Sequence, residues 1–183
     1  ETGGAVGEDA GVIPISIADP AGCGRYSARL LHGVCVAPSP LWMQARLRAV
    51  GIRPINNVGH LTNYVLTERG QPLHAFDADR LPAREITVRR AGPGNRFTTL
   101  DGQVRELDGD DIVITSGGVP VALAGVMGGQ DSEVVDATTN VLLESAWFLP
   151  EAVRRTSKRL GLRSESSYRF ERNVVVVEVA AAS

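Results

Sequence analysis

The hydrophobic positions of this chain repeat first at a spacing of two, then at three to four, then at two again and finally at three to four, so strands and helices segregate along the sequence. Residues 12–17 alternate apolar and small side chains and residues 26–36 end in a β-branched run, which predicts a first strand pair flanking a loop at 20–24. Ser39 and Pro40 then mark a helix start, with Ser39 as N-cap and Pro40 at the first helical position. Leu41, Met43, Leu47 and Val50 supply its apolar stripe and Gly51 its end, with Trp42 and Met43 expected in the core.

The next apolar set, Val58, Leu61, Val65 and Leu66, predicts a helix over residues 58–68, capped by Asn56 or Asn57 and closed by Gly70. Thr62 and Asn63 fall in its middle, where their side chains compete for backbone hydrogen bonds. Gln71 and Pro72 force an extended exit that carries His74 back past the helix. A Thr, an Asn and a His would then face one cavity. The plainer alternative is a capped loop whose polar side chains only satisfy backbone groups.

The period returns to two over residues 86–90, then over 97–100 and 103–107 around an Asp101-Gly102 turn, then over 112–115 and 119–123 around Gly117-Gly118, and 141–146 reads as a buried strand. Pro150 opens a basic helix to about Leu160, Gly161 stops it, and a loop at 162–167 leads to a helical segment at 168–172. The tail, VVVVEVAAAS, has the composition of a strand but can also be a cut edge. Helices at both ends of a β-rich middle predict an α+β fold, a layered β-rich sandwich flanked by helices in a single domain. There is no dinucleotide fingerprint, P-loop or internal repeat.

With 183 residues and 43% apolar composition, one substantial core suffices. A net charge of −2 argues against holding nucleic acid by bulk electrostatics, so any RNA contact must be local. The best local candidate is the run Arg154, Arg155, Lys158, Arg159 and Arg163, which equally suits a solvated helix face. Cys23 and Cys35 have no metal-like spacing with the three histidines and read as reduced thiols, so no metal is expected. The absence of a long apolar run or signal-peptide pattern predicts a soluble, cytoplasmic protein without a membrane partner. The opening ETGGAVGED reads as a tag or ragged edge.

Two stretches carry candidate chemistry. AGVMGG, from Ala124 to Gly129, follows a strand and has three glycines, which permit close backbone approach to a ligand or simply make a turn. Glu144 lies in a strand among Leu142, Leu143, Ala146, Trp147 and Phe148, and a buried carboxylate needs a partner. A structural salt bridge to an arginine is one answer; a ligand is the other.

TNYV, GQPLHAFD, AGVMGG, LESAWF and RSESSYRFER occur here in the order seen in the editing domain of the bacterial phenylalanyl-tRNA synthetase beta subunit, which the chain resembles from about residue 18 to residue 172. On that resemblance residues 1–17 are an N-terminal edge or tag and 173–183 a C-terminal edge. It implies hydrolysis of tyrosine mischarged onto the tRNA for phenylalanine, by a positioned water. His74 and Asn63 would hold that water, and Glu144 with the Ala124-Gly125 turn would recognise the phenolic hydroxyl. Thr62 and Arg53 would line the pocket, with Arg53 orienting the ester or terminal adenosine, and Ser164 and Ser166 would lie on a wall loop. No cofactor is implied in this domain; ATP and Mg²⁺ belong to the complete synthetase. The implied partners are the tyrosine-bearing acceptor end of the tRNA and the synthetase alpha subunit. The rival is a non-catalytic module that binds amino acid or RNA. Three positions depart from the family pattern: Gly59-His60 in place of Val-Asp, Ser164-Glu165-Ser166-Ser167 in place of Thr-x-Ala-Ser, and Arg172-Asn173-Val174-Val175 in place of Arg-Gly-Val-Asp.

Overall fold

Two sheets share one hydrophobic core in the computed structural model, which describes residues 13–53 and 55–182. The chain runs β1 (Ile15–Ile17), β2 (Cys23–Leu31), α1 (Leu41–Ala49), α2 (Asn57–Arg69), β3 (Leu73–Asp77), β4 (Ile86–Arg90), β5 (Arg96–Thr98) and β6 (Val104–Glu106). It continues through β7 (Ile112–Ser116), β8 (Val119–Leu123), β9 (Met127–Gly128), β10 (Val141–Phe148), α3 (Pro150–Leu160), α4 (Glu165–Phe170) and α5 (Glu178–Ala182). One sheet has the order β1-β4-β7-β8-β9, a second β2-β10-β3, and β5 and β6 form a separate hairpin. The α+β single-domain expectation holds. Ile86, Val88, Ile114 and Leu123 from the first sheet join Cys23, Tyr26, Phe76, Leu142 and Phe148 from the second in the core.

β10 is the organising strand. It pairs antiparallel with β2 on one side and β3 on the other, and seven of its eight residues are buried. A strand covered on both faces reads as a near-continuous apolar run, which is why the period of two was weak there. Successive residues nevertheless point to opposite faces. Leu142, Ala146 and Phe148 face the shared core. Leu143 and Val141 on the other face line a groove with Val58 and Leu61 of α2 and Met43 of α1.

Helix ends follow the sequence signals where capping decides them. Asn56 caps α2 by accepting from the Gly59 N–H at 2.8 Å, and Gly70 closes it in the left-handed region at φ 74°. Pro150 opens α3 and Gly161, at φ 66°, ends it.

Several expectations are corrected. The first two strands do not pair: β1 lies parallel to β4, whereas β2 joins β10. Ile15–Ile17 is thus part of a sheet rather than a loose edge, and the rest of that predicted edge, residues 1–12, lies outside the described residues. Pro40, not Ser39, occupies the N-cap position of α1, with no side-chain capping bond. Ser39 is buried instead, on His60. Trp42 is 52% exposed and stacks edge-on against Tyr64, so of the α1 stripe only Leu47 is core. The tail forms the short helix α5, not a strand, and Val179 is fully buried.

Candidate functional site

Four of the residues singled out from sequence meet in one cavity between the sheets. Glu144, His74, Gly125 and Ser166 line it together with Met127, Gly128 and Phe170, and it encloses about 50 Å³. Glu144 on β10 and His74 on β3 stand directly opposite each other in the antiparallel register. Directly paired residues share a face, so both side chains project toward the same side of the sheet.

Glu144 is 5% exposed and no arginine reaches it among the described residues, so the structural salt bridge is ruled out. Its Oε2 has no hydrogen-bond partner, and neither has the buried Tyr26 hydroxyl, diagonal to it on β2. Burial pushes the Glu144 carboxyl up to about 8, an effect the nearby Tyr26 hydroxyl partly offsets. The same burial, with the Glu144 charge added, raises the Tyr26 phenol well above its ordinary range. At neutral pH the site therefore holds a protonated carboxylic acid, able both to donate and to accept.

His74 is held the other way. Desolvation lowers its pKa to about 4, so the ring is a neutral imidazole at pH 7. It stands edge-on to Phe76, with ring centroids 4.4 Å apart. A Cβ placed on Gly128 would lie 2.7 Å from its Nε2.

The glycines of AGVMGG make room mainly for the protein's own side chains. A Cβ on Gly125 would meet the Phe170 ring at 2.9 Å, and one on Gly129 would meet Phe97 at 2.9 Å. Gly125 also sits at φ 69°, a left-handed turn between β8 and β9. Gly128 is the residue that sequence reasoning missed individually: its lack of a side chain seats His74 beside Glu144. The doubled glycine was the available signal.

The remaining candidates do not line this cavity. Ala124 is buried in the core next to Gly125. The Thr62 hydroxyl donates to the Gly59 carbonyl at 2.9 Å, a backbone bond within its own helix. Asn63 lies beside it on α2, which packs against the β3 edge. The predicted single cavity for Thr62, Asn63 and His74 is thus not formed: only His74 lines it. Arg53 is exposed in the connection between α1 and α2. Ser164 is the N-cap of α4, in a reciprocal capping box with Ser167, and its Oγ donates to the Val126 carbonyl at 2.9 Å. α4 therefore begins before residue 168, and Ser166 enters the cavity from its first turn rather than from a loop.

His60 is a structural residue. Its Nε2 accepts from the Ile55 N–H at 2.9 Å, which places the proton on Nδ1, donated to the Ser39 oxygen. Among the described residues no cluster of three or more His, Cys, Asp or Glu side chains could hold a metal ion, and no helix is long and apolar enough to cross a membrane.

A small cavity between the two sheets thus holds a carboxyl with one unpaired oxygen beside a neutral imidazole. The chain belongs to the B3/4 domain family, which matches residues 22–183. It is 56% identical over 176 residues to the phenylalanine-tRNA ligase beta subunit of Moorella thermoacetica, covering 96% of this chain and 22% of that protein. It is likewise 56% identical over 182 residues to that of Geobacter sulfurreducens, covering 100% of this chain and 22% of that protein. The chain thus spans about a fifth of the length of these relatives. In fold it is similar to an N-terminal fragment of the phenylalanyl-tRNA synthetase beta subunit from Pyrococcus horikoshii. The TM-score is 0.55 at 9% identity, over 86% of this chain and 49% of that one.

Proposed function

We propose that this domain hydrolyses the ester of tyrosine mischarged onto the tRNA for phenylalanine, as part of a phenylalanine-tRNA ligase beta subunit that works with an alpha subunit in the cytoplasm. The observation that carries this reading is Glu144: a buried carboxyl with one oxygen unpaired, at the wall of a cavity it shares with His74. A group of this kind waits for a polar ligand. A phenol satisfies it, whereas phenylalanine leaves it unpaired, and a site built around a substrate hydroxyl can reject the analogue lacking it by about 10⁴.

The need for such a site follows from elementary recognition. A pocket shaped for phenylalanine excludes an added hydroxyl by only about a hundredfold, so a second pocket that demands the hydroxyl must remove the error. With about 50 Å³ the cavity takes a few waters or the tip of a side chain, against the ~150 Å³ that an enclosed benzene ring fills. The tyrosyl group is admitted as the flexible Met127 side chain on the wall moves aside.

Hydrolysis needs a water held against the ester carbonyl and no covalent nucleophile. The neutral His74 imidazole accepts a hydrogen bond from that water and so orients it, and Asn63, on the helix beside the β3 edge but outside the cavity lining, is the proposed second holding group. Arg53, exposed before the same helix and outside the cavity, is proposed to orient the terminal adenosine. No cofactor takes part in this step; ATP and Mg²⁺ serve the synthetic reaction elsewhere in the complete ligase.

Incubation with tyrosyl-tRNA and phenylalanyl-tRNA tests the reading. Selective release of tyrosine is expected. Glu144→Ala should cut the tyrosine preference by about two- to tenfold, the worth of a hydrogen bond between neutral partners. Equal background rates on both esters would favour the non-catalytic binding module.

A further inference from the structure

We infer that a second cleft, lined by residues of α3 and α4, binds the sugar-phosphate backbone of single-stranded RNA. It encloses about 490 Å³ and is lined by Arg154, Lys158, Arg163 and Arg172 with the aromatic face of Tyr168. That it guides the strand whose end reaches Glu144 rests on the editing reading above; that it binds RNA does not.

Charge pairing sorts the basic run of α3 into two faces. Arg155 lies 3.8 Å from the Asp110 carboxylate, and Arg159 is bound to the buried Asp111 carboxylate and to the Glu106 carbonyl. These two are answered by the protein. Arg154 and Lys158, one turn apart on the neighbouring face, and Arg163 after the helix are exposed and reach no carboxylate among the described residues. The cleft contains one acid, Glu171, already paired with Arg172 at 2.6 Å. Three uncompensated cations thus converge on a chain whose net charge is −2, and such a local surplus attracts a polyanion.

The aromatic component narrows the ligand. Tyr168 is half exposed, and the Arg172 guanidinium lies 3.6 Å over its ring. Cations along a groove beside a half-exposed aromatic ring, here with one face already stacked by Arg172, are what a single strand needs for its phosphates and bases. An anionic peptide uses only the cations. The partition between the sites is thin. Ser164 and Ser167 line the cleft, Ser166 between them lines the cavity, and Ser164 is tied to Val126, itself a cavity residue.

The test is binding of an unacylated single-stranded RNA octamer to this chain, followed by fluorescence anisotropy as salt is raised. Three phosphate contacts predict a log–log slope of about −2, a weakening of about 20-fold from about 50 to about 200 mM salt. Joint replacement Arg154→Ala, Lys158→Ala and Arg163→Ala should weaken binding about tenfold or more and flatten the slope, while Arg155→Ala leaves both unchanged. Arg154→Glu alone should lower affinity in the same direction with a single surface change, should the triple variant fail to fold. Unchanged affinity in these variants, an equal loss in Arg155→Ala, or equally tight binding of a phosphoserine-rich peptide would overturn the assignment. The octamer carries no ester, so failure of the editing reading shows separately, as absent tyrosine release with RNA binding intact.

Discussion

Glu144 and His74 face each other across neighbouring antiparallel strands, and the same desolvation moves them in opposite directions, the acid up to about 8 and the imidazole down to about 4. Both groups are thereby neutral at pH 7. Two facing ionisable groups that are both uncharged can share a cavity without a counter-ion, and each remains free to exchange hydrogen bonds with a ligand.

That relationship fixes how stability depends on pH. Glu144, raised from 4.5 to about 8, contributes stability that is fully present below 4.5 and is lost as pH rises through 8. His74, lowered from 6.5 to about 4, contributes stability present above 6.5 and lost as pH falls toward 4. Between 4.5 and 6.5 the two slopes cancel. The expected profile from these groups is flat there and then falls, by on the order of 2 kcal/mol between about pH 6.5 and about pH 8. Glu144→Gln should abolish that fall and expose the His74 slope on the acid side. Urea melts at stepped pH read this directly, and a fall surviving in Glu144→Gln would assign it to another group.

Ser164 is expected to act through structure. It caps α4 and holds the turn between β8 and β9 through the Val126 carbonyl. Ser164→Ala should cost about 1 kcal/mol, the usual worth of an N-cap, and Ser164→Asp should recover most of it. Thermal melts of both variants check this, and equal destabilisation by Ala and Asp would show that the Val126 tie, not the cap, dominates.

The buried Ser39–His60 bond predicts a larger effect. With Nε2 already accepting from Ile55, Nδ1–H has Ser39 as its partner. Ser39→Ala leaves that donor orphaned, at a cost of about 1–3 kcal/mol in denaturant melts. Ser39→Thr, which keeps a hydroxyl, should be milder.

Where local physical chemistry dictates structure, the sequence was legible. Asn56, Gly70, Pro150 and Gly161 act through their own backbone preferences, and the helices they bound lie where the residues predict. β4 and β8 follow from alternation and flanking turns. What did not follow was pairing between distant segments. β1 and β2 are neighbours in sequence yet join different sheets, because their partners β4 and β10 are chosen by the shared core and not by chain proximity. Trp42 looked like core because its size argues for burial, but α1 turns that face outward and stacks it on Tyr64. At the site, the unanswered Glu144 was visible as a carboxylate in an apolar strand. That His74 shares its site was implied by the family resemblance alone; the physical reason is the register of β10 on β3, which no local pattern encodes.

The most discriminating prediction concerns Gly128. A Cβ there would lie 2.5 Å from His74 Cε1 and 2.7 Å from Nε2, distances that side chains do not sustain, and Leu100 at 3.2 Å closes the other side. Gly128→Ala must therefore push the imidazole off its seat. The cost of overpacking is about 1–3 kcal/mol, and tyrosine release should slow with it. Removing the ring removes the obstacle, so adding Gly128→Ala to His74→Ala should cost far less than adding it to the wild-type chain. A double-mutant cycle in denaturant should show a coupling of at least about 1 kcal/mol. The His74 ring proton signals in Gly128→Ala should shift, reporting displacement independently of stability. Additive costs and unmoved ring signals would mean that the β9 backbone yields instead, and that Gly128 does not position His74.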